Sequence, residues 1–324
     1  MLKRAVESVL NQSYPRWVHV VVNDGGVASA VEAVLDLYRD QYEGRLCVIH
    51  NPISLGMEAA SNLGIRAVES EYIAIHDDDD SWSPDFLSQS VSALRWWSAR
   101  MPSVRGVVTH CHRVIEHVEG NVAVIDRVEP FNQWMAPGLV SLDDILHQNL
   151  FPPIAFLYER VVFEEIGGYR EDLPVLGDWE FNVRFLLRHD IAVHPVTLAF
   201  YHHRPAAGGA LSNTVFGGAF LHQQYKKALL NQWLREDLGA GRLGIGVYAS
   251  LRQHVAYISW KVGERTSTLG SPGVGFLSAL GTWWGQRNRW QLARRFLHYV
   301  RNEGIGRAMQ RARLWAAVKG GQGA

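Results

Sequence analysis

Four adjacent aspartates close a short apolar segment in the stretch Ile73-Ala74-Ile75-His76-Asp77-Asp78-Asp79-Asp80-Ser81-Trp82. Two carboxylates about 4 Å apart repel each other by roughly 4 kcal/mol at an effective dielectric constant near 20, so this cluster indicates a bound cation. In an extended segment alternate side chains share a face, which would pair Asp77 with Asp79 and Asp78 with Asp80. That spacing is typical of a D-x-D clamp for Mg²⁺ or Mn²⁺. The alternative is a solvated acidic turn that caps the next helix.

Short apolar runs alternate with helical patterns on both sides of the aspartates. Strands are predicted at residues 17–22, 46–50, 72–76, 106–114 and 122–126, and helices at 2–10, 28–42, 57–68 and 84–98. Strands separated by helices of this length predict an α/β fold with a mostly parallel sheet flanked by helices. Ligands of such folds gather at the carboxyl ends of the strands. Asp24 and the aspartate run both follow predicted strands.

The charge of the chain is distributed unevenly. Residues 215–324 contain 16 basic and 4 acidic residues, so they carry +12 and residues 1–214 carry −12 in a chain of zero net charge. We therefore predict two regions, a catalytic domain over 1–214 and a basic helical extension over 215–324. The acidic front region argues against a nucleic-acid partner, because phosphate binding needs a basic face.

Targeting and redox signals are sparse. Cys47 and Cys111 are the only cysteines, which excludes a disulfide framework. The first residues carry charges too early for a signal peptide, and no apolar run approaches the roughly 20 residues that span a bilayer. We therefore expect a cytoplasmic protein.

Six motifs follow one another in the front region. They are residues 2–14, Val22-Asn23-Asp24-Gly25, residues 51–62, residues 72–82, Ile166-Gly167-Gly168-Tyr169 and Gly177-Asp178-Trp179-Glu180. In this order and spacing, residues 1–214 resemble the family 2 glycosyltransferases, which are inverting enzymes of the GT-A fold. The resemblance implies metal-dependent transfer of a sugar from a nucleotide-diphosphate donor, expected to be a UDP-sugar. The implied acceptor is a saccharide or a lipid-linked molecule, as in cell-surface polysaccharide assembly.

The resemblance also implies residues for the donor side. Asp24 matches the acid that contacts the base or ribose, although it could instead cap the loop beside Gly25. Asp77 and Asp79 match the D-x-D pair that holds Mn²⁺ or Mg²⁺, with Asp77 also available to the ribose. Asn62 and Asp80 are further expected donor-binding residues.

On the acceptor side, the resemblance assigns Asp178 as the catalytic base that accepts a proton from the attacking hydroxyl. Asp178 could also cap the helix that follows it, and both roles can hold together. Trp179 and Glu180 are expected beside the acceptor sugar. His203 is a further candidate metal ligand, against the alternative of a packing histidine. The trio His110-Cys111-His112 lacks further ligands at zinc spacing, so we predict no zinc site there.

Two departures from the family pattern bear on activity. The first strand of the pattern, which precedes the helix at Leu2, is not found, and unpaired ladder groups would cost about 1–3 kcal/mol each. We expect the start to be misplaced or truncated, or another segment or chain to fill the gap. Ser61 stands where many relatives carry an arginine, so one bidentate phosphate contact is absent.

These departures keep a second function open, a catalytically inactive GT-A module that binds a glycan or a partner protein. A sugar-nucleotide pyrophosphorylase is disfavoured because its Gly-rich, Arg-containing loop is not found. Residues 287–313 contain eight arginines and one acid, interleaved with apolar side chains. Such a basic helix could bind an anionic membrane, at the inner face of the plasma membrane, or pack on the acidic domain.

Overall fold

The computed structural model describes residues 1–120, 122–205 and 219–268. The helices are α1 (Leu2–Leu10), α2 (Ala28–Leu35), α3 (Arg39–Tyr42), α4 (Met57–Arg66), α5 (Phe86–Ser98), α6 (Leu142–His147), α7 (Arg160–Ile166), α8 (Gly177–Leu186), α9 (Ala219–Gly239) and α10 (Ile245–Thr268). The strands are β1 (His19–Asp24), β2 (Leu46–Asn51), β3 (Tyr72–Ala74), β4 (Ser81–Trp82), β5 (Val104–Glu119), β6 (Val122–Pro130), β7 (Gly138–Leu139), β8 (Phe156–Glu159) and β9 (Asp190–His203).

The first two strands form a small parallel sheet. β1 and β2 pair in register from His19 with Leu46 to Asp24 with Asn51. Val6, Val21, Leu35 and Tyr42 form a buried apolar cluster against this sheet. The predicted helix over 28–42 is interrupted between α2 and α3, which lets both Leu35 and Tyr42 reach that cluster.

The larger sheet has seven strands in the order β3-β8-β5-β9-β4, with β6 added to β5 and β7 to β9. β5 and β9 run parallel, while all the other pairs in this sheet are antiparallel. The α/β class and the flanking helices are confirmed. The expectation of a mostly parallel sheet is wrong, because the β5–β6 hairpin and the short strands β4, β7 and β8 add antiparallel pairs.

A cavity of about 920 Å³ separates the two sheets. Among the described residues, β1 pairs only with β2, and β3 pairs only with β8. Residues of both β1 and β3 line this cavity, so one edge of each sheet opens into the same space.

Aromatic packing fixes α8 to the larger sheet. The Phe181 ring of α8 stacks on Tyr169 at 4.5 Å between centroids and lies 5.3 Å from Tyr158 of β8. Phe185 contacts Phe156 at 5.5 Å. Truncating such a buried Phe to Ala typically costs 3–5 kcal/mol, so the start of α8 is firmly positioned.

The chain divides into two compact units, the first ending at Leu229. In the second unit, Asp237 accepts hydrogen bonds from the backbone N–H groups of Gly246 at 2.7 Å and Val247 at 3.1 Å, which caps the start of α10. No described helix combines the length and apolar character needed to cross a bilayer. The predicted domain boundary near residue 214 and the basic segment 287–313 lie outside the described residues.

Candidate active site

The four aspartates form a turn and do not continue the strand. β3 ends at Ala74, and the N–H of Asp80 donates to the carbonyl of Asp77 at 3.3 Å. The predicted sharing of faces between alternate aspartates is therefore wrong. Mutual repulsion of four carboxylates favours this arrangement, since a turn gives each side chain its own direction. We call residues 77–80 the aspartate turn.

Asp80 faces the protein interior and has no exposed surface. One of its oxygens accepts a hydrogen bond from the backbone N–H of His202 at 2.8 Å, and the other has no hydrogen-bond partner among the described residues. Burial, together with the charges of Asp77 and Asp79, raises its pKa well above the ordinary value. This side chain fastens the aspartate turn to β9, and its contact with the donor stays a prediction.

A buried glutamate organises the other side of the aspartate turn. Glu116 of β5 accepts hydrogen bonds from Arg4 at 2.9 and 3.2 Å and from Arg204 at 2.8 Å, and it lies 3.0 Å from Nδ1 of His202. Although burial alone would raise its pKa, these partners lower it below the ordinary value. Arg4 also donates to the Asp79 carbonyl and Arg204 to the Asp79 carboxylate. This network holds Asp79 in place from α1, β5 and β9.

The two histidines at the end of β9 have structural contacts. The His202 ring bridges Glu116 and the Ser81 hydroxyl, which is 2.9 Å from Nε2. His203 is buried with its ring edge-on to Tyr201 at 4.2 Å, and burial lowers its pKa to about 4. The surroundings of His203 agree with the packing alternative for this residue.

Asp77 is the aspartate in the most strongly acidic surroundings. Burial raises its pKa, and the charges of Asp79, Asp78, Asp178 and Glu58 raise it further. Asp178 and Glu58 come from two helices far apart in sequence. Their effect on Asp77 indicates that the aspartate turn and the starts of α4 and α8 enclose one acidic region.

Asp178 lies in the first turn of α8. Its carboxylate accepts hydrogen bonds from the Trp179 backbone N–H at 2.7 Å and from the side-chain amide of Asn149 at 2.6 Å. Burial raises its pKa despite these two donors. The preceding Leu176 has a left-handed φ of 69°, which is uncommon for a residue with a side chain and is often found at functional sites. The helix-capping role predicted for Asp178 and its role as a base are compatible with these contacts.

Glu58 is a buried acid that the motifs did not single out. It lies in the first turn of α4, and Gly177 approaches it so closely that a Cβ there would meet its side chain at 2.3 Å. Burial raises the pKa of Glu58, and the charge of Asp178 adds to this effect. Gly177 is therefore needed so that the starts of α4 and α8 can approach each other.

Asp24 stabilises a loop. Its carboxylate accepts hydrogen bonds from the side chains of Asn51 at 2.8 Å and Ser54 at 2.7 Å, and from the backbone N–H groups of Leu55 and Gly56 at 2.9–3.0 Å. These donors lower its pKa to about 2, against a desolvation effect that would raise it. The capping alternative for Asp24 describes these contacts well. A direct contact with the base or ribose remains a prediction.

Asn62 is buried and connects α4 to the segment before α8. Its amide donates to the Tyr169 carbonyl and to Glu171, both at 2.8 Å, and its oxygen accepts from the Tyr169 N–H at 2.9 Å. All these partners are protein groups, and only 1% of the residue is exposed. The amide connects two segments of the protein, and a contact of Asn62 with the donor stays a prediction.

The two expected acceptor-side residues are also buried. Trp179 is 1% exposed, and its indole N–H donates to the Ile145 carbonyl at 2.6 Å. Glu180 accepts from Arg184 at 2.8 and 2.9 Å, and Arg184 in turn donates to carbonyls of the Gly167-Gly168 segment. Both side chains pack against protein groups, and their contact with an acceptor sugar stays a prediction.

A divalent cation fits the acidic region only in part. Asp77 has oxygen ligands of the kind that Mg²⁺ and Mn²⁺ prefer, and burial together with the neighbouring acids raises its pKa. The described residues contain no group of three or more His, Cys, Asp and Glu side chains arranged to hold a metal. Metal binding by Asp77, Asp79 and His203 stays a prediction. A pair of carboxylates completed by water and phosphate oxygens still suits Mg²⁺.

Comparisons with known proteins agree with the motifs. Residues 1–116 match the profile of the family Glycosyl transferase family 2. A glycosyltransferase from Nostoc sp. (strain PCC 7120) that is itself uncharacterised is 25% identical over 97% of this chain and 89% of its own length. An Escherichia coli (strain K12) relative named for colanic acid biosynthesis is 36% identical over 26% of this chain and 30% of its own length.

Other matches cover smaller shares of the matched protein. An uncharacterised protein of Sinorhizobium fredii is 26% identical over 66% of this chain, which spans only 22% of that protein. The crystal structure of S. aureus TarS 1-349 with UDP-GlcNAc matches 64% of this chain and 56% of its own chain, with 18% identity and a TM-score of 0.47. The motifs and the profile match agree that residues 1–116 of this chain are similar to glycosyl transferase family 2.

Proposed function

We propose that the chain is a metal-dependent inverting glycosyltransferase that transfers a sugar from a nucleotide-diphosphate donor to a saccharide or lipid-linked acceptor. The observation that carries this proposal is the close approach of Gly177 to the Glu58 side chain, which brings the starts of α8 and α4, with Asp178 and Glu58, into one acidic region with Asp77. A metal-binding carboxylate and a proton acceptor are the two groups that a single displacement at a sugar carbon requires.

Asp178 is proposed as the base. In the reaction its carboxylate takes the proton of the acceptor hydroxyl, while the hydroxyl oxygen forms a bond to the anomeric carbon and the bond from that carbon to the diphosphate breaks. The raised pKa of Asp178 makes it a stronger base than an exposed aspartate. Asn149 and the Trp179 N–H hold the carboxylate in one orientation.

Asp77 and Asp79 are the residues proposed to hold Mn²⁺ or Mg²⁺. A cation bound there would neutralise negative charge on the diphosphate leaving group. Arg204, which donates to the Asp79 carboxylate, and Arg4, which donates to its carbonyl, keep that residue in position. Asp24, Asn62 and Asp80 support the site by fixing the surrounding loops, because each makes hydrogen bonds to protein groups.

The donor is proposed to be a UDP-sugar, on the strength of the family resemblance. Wild-type protein with Mn²⁺ should release UDP from at least one of UDP-glucose, UDP-galactose and UDP-N-acetylglucosamine, with GDP-mannose as the comparison donor. Asp77→Asn should weaken Mn²⁺-dependent UDP binding in titration calorimetry, whereas Glu119→Gln on the exposed end of β5 should not. Equal Mn²⁺-dependent binding by wild type and Asp77→Asn would show that Asp77 is not a metal ligand.

A non-catalytic binding module is the second candidate function. The ion pair of Arg204 with Asp79 favours it, because a carboxylate that already pairs with an arginine is less available to a metal. Such a module would give little heat with UDP and Mn²⁺ and would release no UDP from any donor. The same calorimetric titration therefore separates the two candidates.

Membrane attachment through residues 287–313 remains a proposal that rests on composition alone. Flotation with vesicles of neutral lipid, with and without anionic lipid, tests it directly. Binding that depends on anionic lipid supports the proposal, and equal flotation with both vesicle types contradicts it.

A further inference from the structure

A second cavity lies beside α5, where that helix meets β9. Its volume is about 450 Å³, within the range of roughly 300–1,000 Å³ that is usual for small-molecule pockets. Its walls include Ser88, Gln89, Ser92, Trp96 and Trp97 of α5 and His194 of β9. The lining therefore combines large aromatic rings with side chains that form hydrogen bonds.

Two adjacent tryptophans form the apolar part of this cavity. The rings of Trp96 and Trp97 lie 5.0 Å apart between centroids at 84° to each other, and Trp96 is 51% exposed. The Arg100 guanidinium lies 4.0 Å from the Trp96 ring centroid and donates to the Trp96 carbonyl at 2.9 Å, which holds that residue in place. An exposed aromatic ring that is held rigid beside a concave surface indicates a binding site.

Gln89 and His194 form the polar part of the cavity. The Gln89 side-chain oxygen lies 3.1 Å from Nε2 of His194, so this hydrogen bond joins α5 to β9. Burial lowers the pKa of His194, and the charge of His110 lowers it further, so the ring is neutral near pH 7. With Nε2 donating, Nδ1 is an acceptor, and the Gln89 amide keeps its two N–H donors for a ligand.

A donor and an acceptor beside an aromatic ring match the chemistry of a sugar. Neighbouring hydroxyls of a pyranose both donate and accept hydrogen bonds, while the C–H face of the ring is apolar and packs on an indole. The exposed Ser92 hydroxyl can also donate or accept. The lining contains no aspartate, glutamate, lysine or arginine, so it offers no charge to an anionic or cationic ligand.

The position of the cavity separates it from the acidic region. His194 lies in the first half of β9, whereas His202, which contacts Glu116, lies near the end of that strand, up to about 26 Å away along extended chain. We propose that this cavity is a binding site for a neutral oligosaccharide, with a sugar ring on Trp96 and its hydroxyls on Gln89 and His194. The inference concerns binding alone, so it does not rest on the proposed transfer reaction.

Fluorine NMR of the full chain labelled with 5-fluorotryptophan tests this site directly. The resonances of Trp96, Trp97 and Trp134 are assigned by their loss in the three single Trp→Phe variants. At least one of cellotetraose, maltotetraose and mannotetraose, added at millimolar concentration, should shift the Trp96 and Trp97 resonances saturably. Trp134 is the matched control, because it is 59% exposed and does not line the cavity, and its resonance should not shift.

Two variants separate the aromatic contribution from the polar one. Trp96→Ala should weaken the saccharide affinity, measured at the Trp97 resonance, at least about tenfold. Gln89→Leu keeps the size of the side chain but removes its hydrogen bonds, and it should weaken the affinity by a similar factor. Gln41→Leu, at an exposed glutamine of α3, should leave the affinity within about twofold of wild type. Should Gln89→Leu fail to fold, Trp96→Ala and the wild-type titrations still decide.

Three results would overturn the proposal. One is the absence of a shift at Trp96 and Trp97 with all of these saccharides. Another is equal affinity for the anionic oligosaccharide tetragalacturonate, since the uncharged lining would then not select a neutral ligand. The third is an equal shift of the Trp134 resonance, which would show that the saccharide contacts exposed indoles in general.

Discussion

Replacing Glu116 by glutamine should destabilise the protein strongly, although the two side chains have nearly the same shape. The carboxylate has no exposed surface and pairs with Arg204, which is 2% exposed, and with Arg4, which is 29% exposed. Removing one member of a buried ion pair typically costs 3–5 kcal/mol, because the other charge is left uncompensated. Since Arg4 is partly solvated, we expect a loss at the lower end, about 3 kcal/mol in the free energy of unfolding.

Urea denaturation followed by circular dichroism measures this loss. With an m-value of roughly 3 kcal/mol per molar urea, at the upper end for small proteins because m rises with chain size, the midpoint should fall by about 1 M. Glu119→Gln, on the exposed end of the same strand, is the control and should shift the midpoint little. A Glu116→Gln midpoint that coincides with that of the control would refute the assignment of Glu116 as the centre of the network.

The pH dependence gives an independent check on Glu116. Its folded-state pKa is lowered, so its stabilisation is present above the ordinary glutamate pKa of about 4.3 and is lost as pH falls below that value. Wild type should therefore lose stability more steeply than Glu116→Gln below about pH 4.3. Parallel acid profiles for the two proteins would contradict the ion pairing.

Three further outcomes are expected. Asn62→Ala should lower the free energy of unfolding by about 1–3 kcal/mol in urea denaturation, because the Tyr169 backbone groups lose their partners, and an unchanged midpoint would contradict this role. The carboxyl of Asp24 should titrate near pH 2 by NMR. Its contribution to the free energy of unfolding is therefore lost as pH falls from about 4 towards 2. Titration at the ordinary aspartate pKa would show that its loop contacts do not form. Trp179→Phe should lower the free energy of unfolding by more than about 1 kcal/mol, because it removes the hydrogen bond to Ile145 and leaves a cavity beside the smaller ring. It should leave UDP binding unchanged, and a large loss of UDP binding would contradict a purely structural role.

Local signals in the sequence predicted the elements that position the site. Apolar runs followed by polar residues identified the strands before Asp24 and before the aspartate turn, because strand and helix periods are visible within a few residues. Asp178 was expected at the start of a helix for the same reason, and α8 begins at Gly177. The order of the motifs then identified the family.

Contacts between distant residues were not predictable in this way. Glu116 is separated from Arg4 by 112 residues and from Arg204 by 88, so no local pattern links them. The available signal was a single acid inside an apolar strand, Val114-Ile115-Glu116, which indicates a buried and therefore paired charge. A pattern of side chains cannot specify which partner compensates it.

Four residues predicted to contact a ligand are buried, and the local sequence pattern did not reveal this either. Residue type and motif position suggested ligand contacts for Asn62, Asp80, Trp179 and Glu180, yet each is at most 2% exposed. Side chains that hold a site together and side chains that contact its ligand are both polar or aromatic. Only the three-dimensional packing separates the two groups.

The most direct test of the central claim is a single-turnover measurement on Asp178→Asn beside wild type, with Mn²⁺ and a donor that wild type turns over. The amide keeps the hydrogen bonds of the side chain but cannot accept the proton, so the rate of sugar transfer should fall by about 10²–10⁴-fold. The affinity for UDP should remain unchanged. A transfer rate equal to that of wild type would contradict the account that Asp178 is the base opposite a cation held by Asp77 and Asp79.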